Sequence, residues 1–402
     1  MLTSLAIMII LGLLANAIFT KMRLPGLLGM LILGVLIGPY VFNWLDPNIL
    51  LISADSRKIA LIIILLRAGL GISRDDLKKV GSTAIKLSCI PGIIEGFTIA
   101  LVSVKFLNFS FIEGGMLGFI IAAVSPAVVV PQMLEYLENG VGINKGIPTL
   151  ILAGSSIDDV FAITIFTTFL GLYSGSHVNI GIQLLNIPIS IIIGIVLGFI
   201  IGIAMIRIFR KYHIRDTKKV LLILGSAIFL TVIEDALKSK IEIASLLGVM
   251  TIGFIILERK PEIAKRLSQK FNKLWIFAEI LLFILVGAQV NIQVALNAGL
   301  KGLIIIFVGL IGRSIGVIIS TLGTNLNLKE KIFCVIAYIP KATVQAAIGA
   351  IPLGLGVPSG DVILAVAVLS ILVTAPLGAI GINASAKKLL VVDVDCNHNK
   401  VK

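Results

Sequence analysis

Cysteine and histidine are scarce in this chain of 402 residues, and the few that occur lie far apart. They are Cys89, Cys334, Cys396, His177, His213 and His398. This scatter argues against a disulfide framework and against a metal cluster. A phosphate-binding loop of the form Gly-x-x-x-x-Gly-Lys-Ser/Thr is also absent, so the sequence gives no support to nucleotide hydrolysis.

Charged residues are scarce too, at 14% of the chain, whereas hydrophobic residues make up 58% and the mean hydropathy is +1.10. Long apolar runs separated by short polar loops exclude a soluble globular protein and predict an all-α polytopic membrane protein. Thirteen spans are predicted, at residues 3–20, 26–43, 58–72, 81–106, 112–136, 147–172, 182–208, 218–238, 242–258, 272–290, 296–322, 330–351 and 360–386. They form one integral unit over residues 1–386, and residues 387–402 form a tail.

The net charge of +13 marks topology and not a nucleic-acid surface, because the basic residues alternate from loop to loop. Basic clusters at 207–219 and 259–273 fall on one side together with the tail. The positive-inside rule therefore predicts a cytoplasmic C-terminus and an external N-terminus in the cell (plasma or inner) membrane. The first span lacks a basic leader and a cleavage site, so we expect it to be retained.

Thirteen spans divide into six, one and six, which predicts two inverted repeats joined by a linker helix, as in secondary transporters. The fifth span of each half contains prolines near its middle: Ser125-Pro126 with Pro131 in the first half, and Pro340 followed by Thr343 in the second. Proline interrupts a helix, so we predict two discontinuous helices that cross at midmembrane. The alternative is a pair of ordinary proline kinks.

Two adjacent acids, Asp158 and Asp159, lie about 17 Å into the span at 147–172, close to the middle of a hydrocarbon layer about 30 Å thick. An intramembrane carboxylate costs roughly 3 kcal/mol, so the pair is a functional hypothesis. Neighbouring side chains on a helix point about 100° apart. One acid can therefore pair with Lys341 while the other faces a water-filled cavity; the alternative is a neutral Asp that only ties helices together.

Two further buried charges, Glu95 and Arg313, occupy corresponding helices of the two halves, and we predict that they form a structural ion pair. Glu279 also lies within a span, where it pairs locally or acts as a second proton site. Burial and a neighbouring acid both favour the protonated form of a carboxylic acid. A small cation can then compete with the proton for the same oxygens, which amounts to an exchange mechanism.

At this point the chain resembles the cation:proton antiporter superfamily, and most closely its NHA-type sodium/proton antiporters. The segments that carry the resemblance are Leu65-Leu-Arg-Ala-Gly-Leu-Gly71, Val124-Ser-Pro-Ala-Val-Val-Val-Pro131, Ser155-Ser-Ile-Asp-Asp159, Gly312-Arg-Ser-Ile-Gly316 and Pro340-Lys-Ala-Thr-Val-Gln-Ala-Ala347. The resemblance implies an NhaA-like antiporter fold and a homodimer. It further implies a core domain at about 81–172 and 296–386 that moves against a dimerisation part at about 1–80 and 182–290.

The resemblance also implies roles for the buried charges. Asp159 resembles the carboxylate that binds the cation and the proton, Asp158 the partner of Lys341, and Glu95 with Arg313 the stabilising ion pair. Eukaryotic-type exchangers of the superfamily have an acid before the first proline break and Asn-Asp at the acidic pair. This chain has serine and Asp-Asp at those places, which leaves the coupling stoichiometry open.

The sequence therefore predicts an antiporter that exchanges Na⁺ or Li⁺ for H⁺ by alternating access, with no enzyme activity, no cofactor and no nucleic-acid partner. Oxygens of Ser125, Ser156 and Thr343 are candidate cation ligands beside Asp159. A sodium-coupled solute symporter is the alternative within transport. An intramembrane aspartyl protease is the alternative outside it, but such enzymes need facing acids on two helices and a Gly-x-Gly-Asp element, which the sequence lacks.

Overall fold

The computed structural model describes residues 1–22, 24–174, 180–212, 214–237 and 243–391, and every regular element in that part of the chain is a helix. The helices are α1 (Leu2–Lys21), α2 (Gly26–Ile37), α3 (Pro47–Leu51), α4 (Ser53–Gly69), α5 (Arg74–Leu107), α6 (Phe111–Ala122), α7 (Pro126–Glu138), α8 (Ile147–Tyr173), α9 (Ile180–Lys211), α10 (Asp216–Leu237), α11 (Ser245–Arg259), α12 (Pro261–Ala288), α13 (Ile292–Ser320), α14 (Leu328–Ala337), α15 (Thr343–Ile348), α16 (Ile351–Gly354) and α17 (Gly360–Leu389). The all-α prediction is confirmed.

Each predicted span coincides with one helix or with a helix that is broken in two. Nine segments of the described chain are long and apolar enough to cross a membrane. They include α8, which carries the acidic pair. The count of thirteen crossings and the inverted repeat stay predictions. The predictions about His177, His213, Cys396 and His398 concern residues outside the described part of the chain, and so does the tail beyond residue 391.

The two predicted breaks are present. The helix α6 ends at Ala122 and α7 begins at Pro126, while α14 ends at Ala337 and α15 begins at Thr343. Proline at the first position of α7 needs no hydrogen bond from its nitrogen, which is why a helix starts there readily.

One residue assigned to the crossing does not belong to it. Pro131 lies inside α7 and not at the break. Pro131 is the sixth residue of α7, so the helix loses the one hydrogen bond that an N–H at this position would donate to the carbonyl of Ala127, but it continues to Glu138. The chain at Ala123–Ser125 is extended instead, with ψ values of 132° at Ala123 and 106° at Ser125.

The first half of each broken helix begins with a capping box, at the end that is farther from the break. Ser110 and Glu113 exchange side-chain and backbone hydrogen bonds at the start of α6. Asn327 and Glu330 do the same at the start of α14. Both helices therefore start at a defined residue, because the capping box satisfies amide groups that a helix start leaves unpaired.

The helices pack into two neighbouring groups. The long helix α5 contacts α6, α8 and α13, and α13 contacts α17; on the other side α12 contacts α2 and α4, and α11 contacts α4 and α9. The approach of α9 to α11 is close, since a Cβ atom on Gly198 would lie 2.2 Å from the carbonyl oxygen of Gly248. Gly198 thus serves close packing within the chain. The helix α17 continues to Leu389, past the predicted start of the tail at 387.

Candidate functional site

The two broken helices cross in direct contact. The backbone N–H of Ser125 donates to the carbonyl oxygen of Pro340 at 2.8 Å. The side-chain amide of Gln345 donates to the carbonyl oxygens of Ile120 at 3.0 Å and Ala123 at 2.9 Å, at the end of α6. These bonds satisfy backbone groups that the breaks leave without helical partners. Sequence reasoning gave Gln345 no role, although it lies in the segment after Pro340.

Asp158 is held rigidly in this crossing. It is 1% exposed, and its Oδ2 accepts hydrogen bonds from the backbone N–H of Val124 at 2.7 Å and from Nη2 of Arg313 at 3.0 Å. An ion pair and a backbone donor both stabilise the carboxylate form. Asp158 therefore fixes the extended residues between α6 and α7 through these two bonds.

Glu95 is the second buried carboxylate, and it is fully enclosed. Its Oε2 lies 2.5 Å from Nη1 of Arg313 and 2.6 Å from Nζ of Lys341. Both cations also donate to the carbonyl oxygen of Ala122, the last residue of α6. The negative end of a helix attracts cations, so the break itself favours two positive charges at this depth.

The expected contact between Glu95 and Arg313 is present, but the pairing predicted between Asp158 and Lys341 is wrong. Lys341 bonds to Glu95, and Arg313 bonds to both Glu95 and Asp158. The physical reason is the shape of the guanidinium group, whose several N–H donors bridge two carboxylates at once. The single ammonium of Lys341 is then satisfied by Glu95 and the end of α6.

Asp159 lies outside this network and lines a cavity of about 260 Å³. Its buried Oδ1 has no hydrogen-bond partner in the described part of the protein. Because Asp159 follows Asp158 directly on α8, the two side chains point about 100° apart, and that of Asp159 lines the cavity. The two acids thus have different surroundings, as the helical geometry predicts.

Three hydroxyl groups were predicted near the carboxylate, and two of them reach its cavity. Ser156 and Thr343 line the cavity with Asp159 and Pro126, whereas Ser125 does not. The hydroxyls of Ser125 and Thr343 are buried and have no partner among the described residues. Ser156 donates its hydroxyl proton to the carbonyl of Leu152 at 2.7 Å, so its oxygen lone pairs stay available.

Among the described residues, the lining of the cavity runs from the crossing towards one end of the helix bundle. It follows α8 from Asp159 to Thr167 and is lined beyond that by the end of α10 and the start of α11. The other ends of α10 and α11 lie in the basic segments at 207–219 and 259–273. The cavity therefore lies on the side of the protein opposite to the basic loops.

Glu279 takes no part in this cavity as the structure describes it. It lies on α12 near Arg67 and Glu135. Arg67 of α4 in turn contacts Glu138 of α7 at 2.7 Å. This group of charges connects α4 and α12 with the broken helix α7 on the side of the basic loops. A proton-binding role for Glu279 stays untested.

Comparison with known proteins identifies relatives over nearly the whole chain. The family model described as "Sodium/hydrogen exchanger, transmembrane" matches residues 5–388. The human protein "Sodium/hydrogen exchanger 9B2" is 38% identical over 388 residues, which cover 91% of this chain and 70% of the relative. The human "Sodium/hydrogen exchanger 9B1" is 33% identical over 399 residues, which cover 94% and 75% of the two chains.

A solved structure has the same fold. The sodium proton antiporter MjNhaP1 from Methanocaldococcus jannaschii, determined at pH 8, superposes with a TM-score of 0.77 at 21% sequence identity. The match covers 96% of this chain and 97% of the other. At this level of identity the likeness concerns the architecture, and the roles of individual residues come from the geometry above.

Proposed function

This chain belongs to the transmembrane sodium/hydrogen exchanger family, and from that premise we propose that it exchanges Na⁺ or Li⁺ for H⁺ with Asp159 as the carboxylate that binds each ion in turn. One observation carries the assignment. Asp159 lines the cavity, whereas Asp158 and Glu95 are not part of its lining and are each paired with Arg313.

The exchange follows from competition at one carboxylate. A proton on Asp159 neutralises the group, and so does an alkali cation, but the two cannot occupy the same oxygens together. The hydroxyls of Ser156 and Thr343 supply further oxygen ligands, and Ser125 becomes a third when the crossing rearranges. Access then switches sides when the crossing moves relative to α4 and α11. No cofactor takes part, because the ion gradients supply the free energy.

Competition predicts how sodium affinity depends on pH. Lowering the pH on the cavity side protonates Asp159, so the apparent KM for Na⁺ should rise, by up to about tenfold for each pH unit. The rate at saturating Na⁺ should stay unchanged, because enough cation displaces the proton. The measurement is proton flux in proteoliposomes over a matrix of pH and Na⁺ concentration. A rate that falls with acid at constant KM would place the proton elsewhere.

The charges of the crossing predict an electroneutral cycle. Three carboxylates, Glu95, Asp158 and Asp159, face two cations, Arg313 and Lys341, which leaves one net negative charge. A single H⁺ or a single Na⁺ neutralises it, so we propose an exchange of one for one. The turnover rate should not respond to a potential imposed with potassium and valinomycin. A voltage-dependent rate would mean that Lys341 or Asp158 carries an additional proton.

The orientation and assembly are part of the same proposal. The protein is a multi-pass membrane protein of a transporter family, and we place it in the plasma or inner membrane with its N-terminus outside and its C-terminus in the cytoplasm, because the basic loops share one side. The core at about 81–172 and 296–386 moves against the part at about 1–80 and 182–290, which joins two copies in a homodimer. Chemical cross-linking in the membrane tests the dimer.

The alternatives lack a supporting observation. The relatives are named as sodium/hydrogen exchangers and not as solute symporters. A protease would need two acids that activate one water between them, but Asp158 is bonded to Arg313 and the backbone of Val124.

A further inference from the structure

One ion pair joins the two parts of the protein that move against each other in the proposed exchange. In that division, Arg67 of α4 belongs to the dimerisation part and Glu138 of α7 belongs to the core. Nη2 of Arg67 lies 2.7 Å from Oε1 of Glu138. The side chain of Arg67 is 11% exposed, and that of Glu138 is 50% exposed. The contact holds only while α4 and α7 keep their present relative position.

The ion pair lies on two of the helices that line the cavity, but farther towards the basic loops. On α4 the lining ends at Leu65, and Arg67 follows two residues later. On α7 the lining includes Pro126, and Glu138 lies about 18 Å farther along the helix axis. The pair is therefore placed between the cavity and the surface that carries the basic loops.

Apolar packing fills the space between the cavity and the ion pair. Leu66 of α4 and Val130 and Leu134 of α7 are at most 3% exposed. A Cβ atom on Gly71, just after α4, would lie 3.9 Å from Cδ2 of Leu134, which is ordinary van der Waals contact. Leu134 lies one helical turn before Glu138, so the apolar contact and the ion pair adjoin each other. Together they close α4 against α7 in this conformation.

A second acid gives Arg67 an alternative partner. Glu279 of α12 is half-buried, and its charge interacts with that of Arg67. Because α12 packs against α4 within the dimerisation part, a movement of the core as a unit leaves Glu279 beside Arg67. A guanidinium group has several N–H donors and can bond to either acid. Arg67 thus has one acidic partner in each of the two parts.

We propose that the ion pair between Arg67 and Glu138 is a conformational switch that keeps the path from Asp159 to the basic-loop side closed. The pair breaks before that side opens, and Arg67 then bonds to Glu279. This inference rests on the proposed exchange at Asp159 and adds what holds the transporter in each conformation. Glu138 stabilises the conformation that is open at the cavity, and Glu279 stabilises the opposite one. Two discrete arrangements of this kind are expected when rigid parts move against each other.

The sodium affinities on the two sides measure this switch. A cation binds only the conformation that is open to its own side, so the apparent KM on that side rises as the population of this conformation falls. We define the KM ratio as the KM for Na⁺ on the basic-loop side divided by the KM on the cavity side. It varies in proportion to the population of the conformation open at the cavity relative to the opposite conformation.

The test is Glu138→Gln in proteoliposomes with a known orientation. The KM ratio should fall about two- to fivefold, which is the effect expected for the loss of a partly exposed ion pair. Glu279→Gln should raise the ratio, because it removes the partner of Arg67 in the opposite conformation. A purely structural role for the two acids would not give opposite shifts.

Asp216→Asn is the matched control. Like Glu138→Gln, it removes one negative charge on the basic-loop side and breaks an ion pair, here with Arg266 at 2.8 Å. That pair joins α10 to α12 within the dimerisation part, so the KM ratio should stay unchanged. If the loss of charge acted only by attracting fewer cations to this surface, the control would change as well.

Labelling of a single cysteine reports the opening without reference to the exchange site. Leu134→Cys is introduced into a protein whose native cysteines are replaced by alanine, and a membrane-impermeant maleimide is added on the basic-loop side. Glu138→Gln should increase the labelling rate about two- to fivefold. Glu279→Gln should decrease it, and where that variant does not fold, Glu279→Met offers an apolar side chain for the same comparison.

The two proposals fail in different ways. An unchanged KM ratio or labelling rate in Glu138→Gln, or shifts of both glutamine variants in the same direction, would overturn the switch and leave the exchange role of Asp159 intact. Sodium-dependent flux that persists in Asp159→Asn, together with the expected changes in labelling, would refute the exchange site and support the switch.

Discussion

Asp159→Asn should reduce sodium-driven proton flux in proteoliposomes to the leak of protein-free vesicles. Asparagine keeps the size and the hydrogen-bonding capacity of the side chain but neither titrates nor carries a negative charge. Without this negative charge, the end of the cavity next to the crossing lacks the carboxylate that binds the cation in the proposed exchange. The flux is measured with a pH-sensitive dye trapped inside the vesicles after a pulse of Na⁺ or Li⁺.

A binding measurement separates lost exchange from lost folding. Sodium at 100 times its Kd should stabilise the wild type by about 2.7 kcal/mol, and this stabilisation should vanish in the variant. Asp361→Asn provides the control, because Asp361 is an exposed acid in the first turn of α17. Sodium-dependent proton flux that persists in Asp159→Asn would refute the central assignment.

The second large effect concerns stability. Glu95→Gln should destabilise the protein by about 3–5 kcal/mol, since it removes the carboxylate that pairs with the fully buried ammonium of Lys341 in the described part of the chain. Arg313 keeps its bond to Asp158 and is affected less. The measurement is thermal unfolding of the purified protein in detergent, without sodium so that ion binding does not contribute.

A double-mutant cycle distinguishes the two possible partners of Lys341. Glu95→Gln combined with Lys341→Met removes both members of the pair and should recover much of the lost stability. Asp158→Asn combined with Lys341→Met should give no such recovery, because Asp158 pairs with Arg313 and Lys341 with Glu95, so the two losses should add. Additive losses in the first combination would contradict the pairing of Lys341 with Glu95.

The sequence was sufficient to predict the breaks and the buried acids. Proline at 126 and 340 has a local effect on the helix, and a carboxylate inside an apolar segment is visible without any tertiary information. The alternation of Asp158 and Asp159 between two environments also follows from the helical angle alone. These predictions depend on residues that are adjacent in the chain.

The pairing of charges was not predictable in the same way. Glu95 and Arg313 come from α5 and α13 and Lys341 from the break between α14 and α15, and either cation can form a neutral pair with either acid. The arrangement depends on where α6 ends, because the carbonyl of Ala122 attracts both cations. It also depends on the guanidinium group, which has enough donors to bridge two acids. Only the relative placement of the helices decides between the combinations.

Glu234 illustrates the same limit. In the sequence it lies near the end of a span, next to Asp235, and nothing distinguishes the two acids. The structure separates them: Asp235 contacts Lys58 at the surface, and Glu234 faces the cavity beside α11. A rotation of about 100° between consecutive residues places one acid at the surface and its neighbour in the wall of the cavity.

The two capping boxes fix where the short helices that lead to the crossing begin. The helices that begin there contain 12 and 10 residues, so they end about 18 Å and 15 Å from their starts, roughly half of a 30 Å hydrocarbon layer. An inserted residue in α6 would shift its end by about 1.5 Å and turn the carbonyl of Ala122 by about 100°, away from Arg313 and Lys341. The length of these two short helices thus determines where the crossing and its charges lie between their starts and the opposite side of the bundle.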